Sequence, residues 1–266
     1  MPTTFEFGIA GLALRVLCPS RWGAPLARSW ASWQPKADVP VWTVQIHAAS
    51  KLSTPEGPLF EAIPRCREGY CRLENPGYAG YVSPDDGQAV LRLHPDASAA
   101  DVGYFLRVAL VCQAFARQAL VFHTAAVVHR NRGFALFGTS GSGKTTASRL
   151  SAPDPVLNDD LVILWPDDAG WTMMATPFGK RRGDVRQVPL SALLRLVKDT
   201  KVFLDPLPRG RALAELVANT PVVSGDSGWL PELMLRWEDV LREVPVYALH
   251  FRRAPSFWEV IDAEFE

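Results

Sequence analysis

Residues 138–146, GTSGSGKTT, have the types and spacing of a loop that holds the phosphates of a nucleotide. They follow the apolar run FALF and complete the pattern G-x-x-x-x-G-K-[S/T], which is typical of a loop between a strand and a helix. Glycines let the backbone curl until several N–H groups point at phosphate oxygens, and the helix adds the positive end of its dipole. Lys144 is placed to follow the β- and γ-phosphates, and the Thr145 hydroxyl is placed to ligate Mg²⁺.

A Gly/Ser-rich turn without a ligand is the alternative for this stretch. All fixed positions and both flanks agree with a phosphate loop, so we expect ATP and Mg²⁺ to bind here, with Thr145 as a metal ligand. The expected nucleotide contacts within the loop are Gly138, Thr139, Ser140, Gly141, Ser142, Gly143, Lys144, Thr145 and Thr146.

Two adjacent aspartates, Asp159 and Asp160, follow in VLNDDLVIL, only a short helix and a turn beyond Lys144. Asn-Asp-Asp is also a common turn composition. At a strand edge, neighbouring side chains point to opposite sides of the backbone, so one carboxylate can face Mg²⁺ while the other faces an attacking hydroxyl. We expect Asp160 on the metal side and Asp159 as the general base, although the order of the two stays open.

His123 lies in the apolar run VFHTAAVVH, which predicts one buried strand over residues 121–129. A tight connection at residues 130–133 leads from this run into the strand before the phosphate loop. So short a link predicts an antiparallel pair, because a parallel return needs a crossover of a dozen or more residues. By itself, a histidine in such a run indicates a satisfied core residue.

Taken in order, His123-Thr-Ala-Ala, the GTSGSGKT loop and Asn158-Asp-Asp-Leu-Val resemble the HPr kinase/phosphorylase family over residues 122–164. That family has a His-Gly or His-Ala strand, a G-x-S-G-x-G-K-[S/T] loop and an Asp-Asp-x-Val strand. Its fold is related to phosphoenolpyruvate carboxykinases. The resemblance implies an α/β protein with a P-loop kinase core of this type. It also implies that Lys144, Asp159 and Asp160 are catalytic and that His123 lies near the transferred phosphate.

Two further segments, residues 175–198 and 244–262, resemble divergent HPr-kinase-like proteins, some of which phosphorylate a serine of a lasso-peptide precursor. The family signature Glu-[IV]-Arg-Gly-x-Gly is absent, and Gly179-Lys-Arg-Arg-Gly183 stands in its place without the glutamate. This departure argues against a second metal carboxylate and against phosphorolysis of phosphoserine.

The basic run Lys180, Arg181 and Arg182 has two interpretations. Such a run is usually a solvated loop. Alternatively, Arg181 and Arg182 clamp the γ-phosphate or an acidic acceptor peptide, because guanidinium groups bind such oxygens bidentately. Both interpretations stay open at this point.

The amino-acid composition limits the classes of partner that the chain is expected to bind. Of its 266 residues, 48% are hydrophobic and 21% charged, which is typical of a globular protein, and basic and acidic residues both number 28. No net charge therefore favours nucleic acid or an anionic membrane. No run approaches the ~18 apolar residues of a membrane-spanning helix. We expect a cytoplasmic protein with four reduced thiols and no structural metal, the cysteines being Cys18, Cys66, Cys71 and Cys112.

Hydrophobic periodicity predicts a β-rich N-terminal portion over residues 1–98, and the resemblance implies that the P-loop core covers residues 99–266. We expect the turn-rich region over residues 48–93, with its short strands, to be an antiparallel layer and Ser98 to cap a helix over residues 99–119. The predicted strands of the first portion lie at 5–16 (a strand pair), 41–47, 70–73, 78–82 and 89–93.

The resemblance implies an ATP- and Mg²⁺-dependent kinase that transfers the γ-phosphoryl group to a serine of a peptide or small protein. Two alternatives stay open: a kinase for free serine or another metabolite, and a nucleotide-sensing module without catalysis. GTP or pyrophosphate in place of ATP is also left open. Because family members often form hexamers, a homo-oligomer is a further expectation.

Overall fold

The computed structural model describes residues 2–59, 64–67, 70–179, 181, 183–225 and 228–265. The described residues form sixteen strands and six helices, so the chain has the expected mixed α/β architecture. It divides into two compact units. The first comprises Met1–Arg117 with Val222–Pro231, and the second comprises Gln118–Pro221 with Glu232–Glu266. The division falls after Arg117 rather than after residue 98.

The first unit contains a seven-stranded sheet with two helices on one face. The sheet order is β1-β2-β3-β7-β6-β5-β4. The expected antiparallel layer is confirmed, because β5 pairs antiparallel with β6 and β6 with β7. The rest of the sheet is mixed, because β2 pairs parallel with β3 and β3 pairs parallel with β7. Each parallel pair needs a long crossover, and these are supplied by α1 and by the excursion through β4–β6. The elements are β1 Pro2–Ile9, β2 Leu12–Pro19, α1 Ser20–Ser29, β3 Val41–Ala48, β4 Arg65–Arg67, β5 Tyr70–Asn75, β6 Tyr78–Ser83, β7 Gln88–Leu93 and α2 Ala99–Ala116.

Helix α2 is capped as the sequence predicts. The Ser98 hydroxyl accepts a hydrogen bond from the Asp101 backbone N–H, and the Asp101 carboxylate accepts one from the Ser98 N–H, which is a complete capping box. The helix ends at Ala116, three residues before the expected end. Within the described part of the chain it is the one helix long and apolar enough to cross a membrane, which our reading of the sequence missed. Of this helix, 67% is buried.

The expectation of four reduced thiols was wrong for one pair. Cys66 on β4 and Cys71 on β5 are directly opposite each other in the antiparallel ladder and form a disulfide. Cys18 and Cys112 are free and buried. Burial raises the pKa of both thiols to about 12, so both stay protonated.

The second unit contains a nine-stranded mixed sheet. Strands β11, β9, β10, β14, β13, β12 and β8 follow one another, and β16 joins β14 on one side and β15 on the other. The elements are β8 Leu120–His123, β9 Ala125–His129, β10 Arg132–Phe137, α3 Lys144–Leu150, β11 Val156–Asn158, β12 Leu161–Asp167, β13 Gly170–Ala175, β14 Gln187–Lys198, β15 Phe203–Pro206, α4 Arg209–Ala218, α5 Leu230–Glu243, β16 Val246–Phe251 and α6 Phe257–Phe265.

The run 121–129 is two strands rather than the expected single one. They separate at Thr124, whose buried hydroxyl donates a 2.8 Å hydrogen bond to the Leu136 carbonyl. Strand β9 forms the expected antiparallel pair with β10. Strand β8 instead pairs with β12, where His123 lies opposite Leu161. The expectation that His123 lies on the strand beside the phosphate-loop strand was therefore wrong.

Three parallel strands, β10, β14 and β16, end at one edge of this sheet. Their apolar side chains form a core with residues of α3 and α6. Ligands of open α/β sheets bind at the carboxyl ends of such strands. The phosphate loop leaves β10 at this edge, and the chain leaves β14 and β16 there too.

Helix α6 is tied to β9 through a partly buried cluster of polar side chains. His129 lies between Asp154, at 2.5 Å from Nδ1, and Asp262, at 2.8 Å from Nε2. Its ring stacks on Trp258 with centroids 4.2 Å apart. This cluster fixes α6 against the strands that carry the phosphate loop.

Candidate active site

The phosphate loop has a backbone that requires its glycines. Gly138, Gly141 and Gly143 have φ values of +141°, +78° and +109°, which L side chains rarely adopt. At Gly143 a Cβ atom would also lie 2.8 Å from the Cζ atom of Phe251. The ring of Phe251, at the end of β16, therefore forms a floor under the loop, and helix α3 begins at the next residue, Lys144.

Lys144 spans the loop. Its ammonium donates hydrogen bonds to the carbonyl oxygens of Gly138 at 2.7 Å and Thr139 at 3.4 Å. Partial burial lowers the pKa of Lys144, and the nearby negative charge of Asp160 opposes that change. The ammonium and the Asp160 carboxylate are thus close enough to interact.

A cavity of about 820 Å³ opens in front of the loop. It collects the loop, both aspartates and the histidine, together with a second group of residues from the ends of β14 and β16. Its described lining is His123, Ser140, Gly141, Gly143, Lys144, Thr145, Thr146, Asp159, Asp160, Gly179, Lys198, Asp199, Phe251, Arg252 and Arg253.

Asn158 shapes the bend that carries the two aspartates. Its fully buried side-chain oxygen accepts hydrogen bonds from the N–H groups of Asp160 at 2.8 Å and Leu161 at 3.0 Å. Its amide nitrogen donates to the carbonyls of Thr176 at 3.0 Å and Phe178 at 2.7 Å. Asn158 thereby joins the acidic bend to the segment after β13.

The two aspartates lie in this bend, between β11 and β12, rather than at a strand edge as expected. Asp160 Oδ1 lies 3.5 Å from His123 Nε2. Asp159 Oδ1 accepts a 3.0 Å hydrogen bond from the backbone N–H of Arg181. The carboxylates thus have different neighbours: Asp160 faces His123 and Lys144, while Asp159 faces the segment at Arg181.

Gly179 leaves room for the acidic bend. Its φ is +96°, and a Cβ there would lie 2.8 Å from Asn158 Oδ1 and 2.8 Å from Asp159 Oδ1. Both the backbone conformation and the close approach require glycine. The glycine of the segment that departs from the family signature is therefore part of the site.

The remaining predicted residues are placed as follows. Gly138, Thr139 and Ser142 belong to the loop but not to the described cavity lining, and Ser142 Oγ is buried without a hydrogen-bond partner among the described residues. Arg181 contacts Asp159 through its backbone while the residue is exposed. Arg182 and its neighbour Lys180 lie outside the described residues.

Sequence reasoning missed one wall of the cavity, at Lys198, Asp199, Arg252 and Arg253. Lys198 ends β14, and the two arginines follow β16 directly. Both arginines are exposed, and none of the described residues forms an ion pair with either. In the sequence, these residues stand out only because they follow two apolar strands. The parallel pairing of β14 with β10, and of β16 with β14, brings those strand ends to the phosphate loop.

Asp199 is held in place by its surroundings. Its carboxylate accepts hydrogen bonds from the N–H groups of Lys201 and Thr200, and from the His250 ring at 2.8 Å. The bond from Lys201, followed by that from His250, lowers the pKa of Asp199 from its ordinary value of 3.8 to about 2. His250 in turn stacks on Phe203.

The metal-ligating side chains of the cavity fit Mg²⁺, which side chains and bound phosphates hold together, rather than a metal held by protein side chains alone. Among the described residues no group of three His, Cys, Asp or Glu side chains could hold a metal ion. Mg²⁺ is bound through one or two carboxylates, waters and substrate phosphates. Thr145 and the aspartates line the same cavity as the glycine cradle, so Thr145 and Asp160 would hold the ion beside bound phosphates.

No protein-family model matches this chain. No curated protein matches it in sequence either. The resemblance to HPr kinases consequently stays a prediction that depends on the motifs and on the geometry described above.

Proposed function

We propose that this chain is a P-loop kinase of the HPr kinase/phosphoenolpyruvate carboxykinase type, which transfers the γ-phosphoryl group of ATP to a serine hydroxyl of a peptide or small protein. The observation that carries the proposal is the single cavity lined by Lys144, Thr145, Asp159, Asp160 and His123. Phosphoryl transfer to an alcohol requires a loop whose lysine and N–H groups bind the phosphates, opposite carboxylates that hold Mg²⁺ and accept the hydroxyl proton.

In the proposed reaction the phosphate loop holds the triphosphate. Lys144 exchanges its contacts with the Gly138 and Thr139 carbonyls for oxygens of the β- and γ-phosphates, and loop N–H groups bind the remaining oxygens. When bound, Mg²⁺ neutralises charge that develops on the transferring group. Thr145 and Asp160 would hold that ion, and the interaction between Asp160 and Lys144 supports Asp160 on this side.

Asp159 then acts as the general base. It accepts the proton of the serine hydroxyl as the serine oxygen forms its bond to the γ-phosphorus and the bond to the β–γ bridging oxygen breaks, which releases ADP. The hydrogen bond from the Arg181 N–H orients this carboxylate. Gly179 has no side chain and so leaves room for it. His123 positions Asp160 through the contact at 3.5 Å.

The acceptor class is supported by the resemblance of residues 122–164 to serine kinases. Some of the divergent family members phosphorylate a lasso-peptide precursor, so a ribosomally made peptide of that kind is the proposed acceptor. The missing glutamate between residues 179 and 183 supports a kinase without phosphorolysis.

The deciding experiment incubates the purified protein with Mg·ATP and a set of serine-containing peptides, and detects phosphopeptide by mass spectrometry and ADP by a coupled assay. We expect phosphate on a serine, and no product with the Lys144→Ala variant. Arg149→Ala, an exposed change on α3, is the matched control and should retain activity. ADP release with free serine alone would indicate the metabolite kinase. Nucleotide binding without turnover for every acceptor would indicate the sensing module.

A further inference from the structure

The sheet of the first unit has one face that none of the described helices of that unit covers. Helices α1 and α2 pack on the opposite face, where Phe105 of α2 lies against Gly80 and where Gly23 of α1 lies against Cys18. On the uncovered face, cross-strand register aligns alternate residues of β3, β5, β6 and β7. A cavity of about 580 Å³ lies there.

This cavity is rich in groups that bind carboxylates. Arg72 and Arg92 are exposed in it, and none of the described residues forms an ion pair with either. Strand β6 lies between their strands, and the register offsets Arg92 by two residues from the position opposite Arg72, so their backbones are about 12 Å apart. Tyr70 and Tyr81, 42% and 40% exposed, add two hydroxyl groups. The charged side chains of the described cavity lining are these two arginines and Glu74, so the cavity carries a net positive charge.

A second, mainly apolar cavity of about 460 Å³ adjoins the first and shares Gln45 and His47 with it. Its lining includes Leu17, which is 39% exposed, Pro19 and Ala48. The surface therefore pairs a positive cleft with an apolar recess. Below, "cleft" means the cavity at Arg72 and Arg92, and "recess" means the cavity at Leu17.

We propose that this face binds an extended acidic peptide, with carboxylates on Arg72 and Arg92 and one apolar side chain in the recess. Alternate residues of an extended chain face the same side, so two carboxylates four residues apart both face the sheet about 13 Å apart, close to the separation of the arginine backbones. Arginine binds carboxylates bidentately, and a half-exposed apolar recess suits a single leucine-sized anchor.

Two observations favour a peptide over single-stranded nucleic acid. Glu74 lies in the cleft and would face a phosphate backbone unfavourably, whereas a peptide can place a basic or neutral group there. Tyr70 and Tyr81 pack edge to face against each other, with centroids 6.3 Å apart, instead of presenting separate flat rings. Binding of bare single strands uses successive flat aromatic platforms.

The test uses the full chain and fluorescence anisotropy. The probe is a short fluorescein-labelled peptide that alternates glutamate and serine and carries one leucine. We expect saturable binding that weakens as salt is raised. The double variant Arg72→Gln/Arg92→Gln should bind about tenfold more weakly. Arg28→Gln/Arg117→Gln, which removes the same charge from exposed positions elsewhere in the unit, should bind like the wild type.

A second comparison tests the recess. Leu17→Ser should weaken binding of the leucine-containing probe and leave binding of a probe with serine in its place unchanged. Any one of three results would overturn the proposal. The two arginine double variants weaken binding equally, a probe with glutamine in place of glutamate binds as well as the original, or oligothymidine binds more tightly than the peptide. Lys144→Ala should leave peptide binding unchanged, so the outcome is independent of whether the chain is a kinase.

Discussion

The two sheets of this chain present their polar groups in different ways. In the second unit the groups lie at one edge, where β10, β14 and β16 end and glycine-dependent turns begin. In the first unit they lie on a face, where alternate residues of neighbouring strands stand side by side. An edge site depends on special backbone conformations, whereas a face site depends only on side chains. Substitutions should therefore be far more damaging at the edge than on the face.

The largest effect is expected for Asp159→Asn. Loss of the general base should lower kcat by about a hundredfold to ten-thousandfold, while the affinity for ATP changes little. Rapid-quench measurement of phosphopeptide formation and calorimetric titration of ATP would separate the two quantities. Wild-type turnover in this variant would remove Asp159 from the proposed mechanism.

Gly179→Ala tests whether the edge site depends on the special backbone conformation at residue 179. The positive φ and the 2.8 Å approach to two side-chain oxygens should lower the free energy of unfolding by about 1–3 kcal/mol and displace the acidic bend. Gly210→Ala is the matched control, since a Cβ there meets nothing within 4 Å. That change should be neutral or stabilising by at most about 1 kcal/mol. Urea denaturation of both variants measures the difference, and equal effects would refute the special status of Gly179.

Arg252→Gln/Arg253→Gln tests the wall that the sequence did not reveal. If these arginines bind phosphate oxygens of the nucleotide, the KM for ATP should rise about tenfold with little change in kcat. If they bind the acceptor instead, the KM for the peptide rises and that for ATP does not. Unchanged values for both substrates would exclude this wall from binding.

The smallest effect is expected at Asp199 and depends on pH. Because its folded pKa of about 2 lies below the ordinary 3.8, the carboxylate stabilises the fold above pH 3.8 and this contribution is lost as the pH falls towards 2. Asp199→Asn should lower Tm at neutral pH, and the difference from the wild type should vanish near pH 2. Asp168→Asn, at an exposed turn, controls for the loss of charge. A Tm difference that persists at pH 2 would contradict the assignment.

Features defined by residues next to each other could be predicted from the sequence. The glycine-dependent turn at residues 138–143 and, in the first unit, the helix cap at Ser98 are of this kind. The antiparallel return from β9 into β10 was predicted for the same reason, because a very short connection leaves no alternative.

Features that depend on distant pairing could not be predicted. The break at Thr124 arises because β8 finds β12 as its partner, and this moves His123 to the strand beside the acidic bend. Arg252 and Arg253 reach the loop only through the parallel register of β16 with β14. The disulfide of Cys66 and Cys71 was missed for another reason: its cysteines are only five residues apart, but the short strand β4 that pairs with β5 was not predicted.

The contact between Phe251 and Gly143 has a consequence for synthesis on the ribosome. The glycine loop leaves the exit tunnel long before Phe251 is translated, so the emerging segment lacks its aromatic floor. Nascent chains arrested before β16 should therefore fail to retain ATP, and competence for the nucleotide should arise only when the last strand docks.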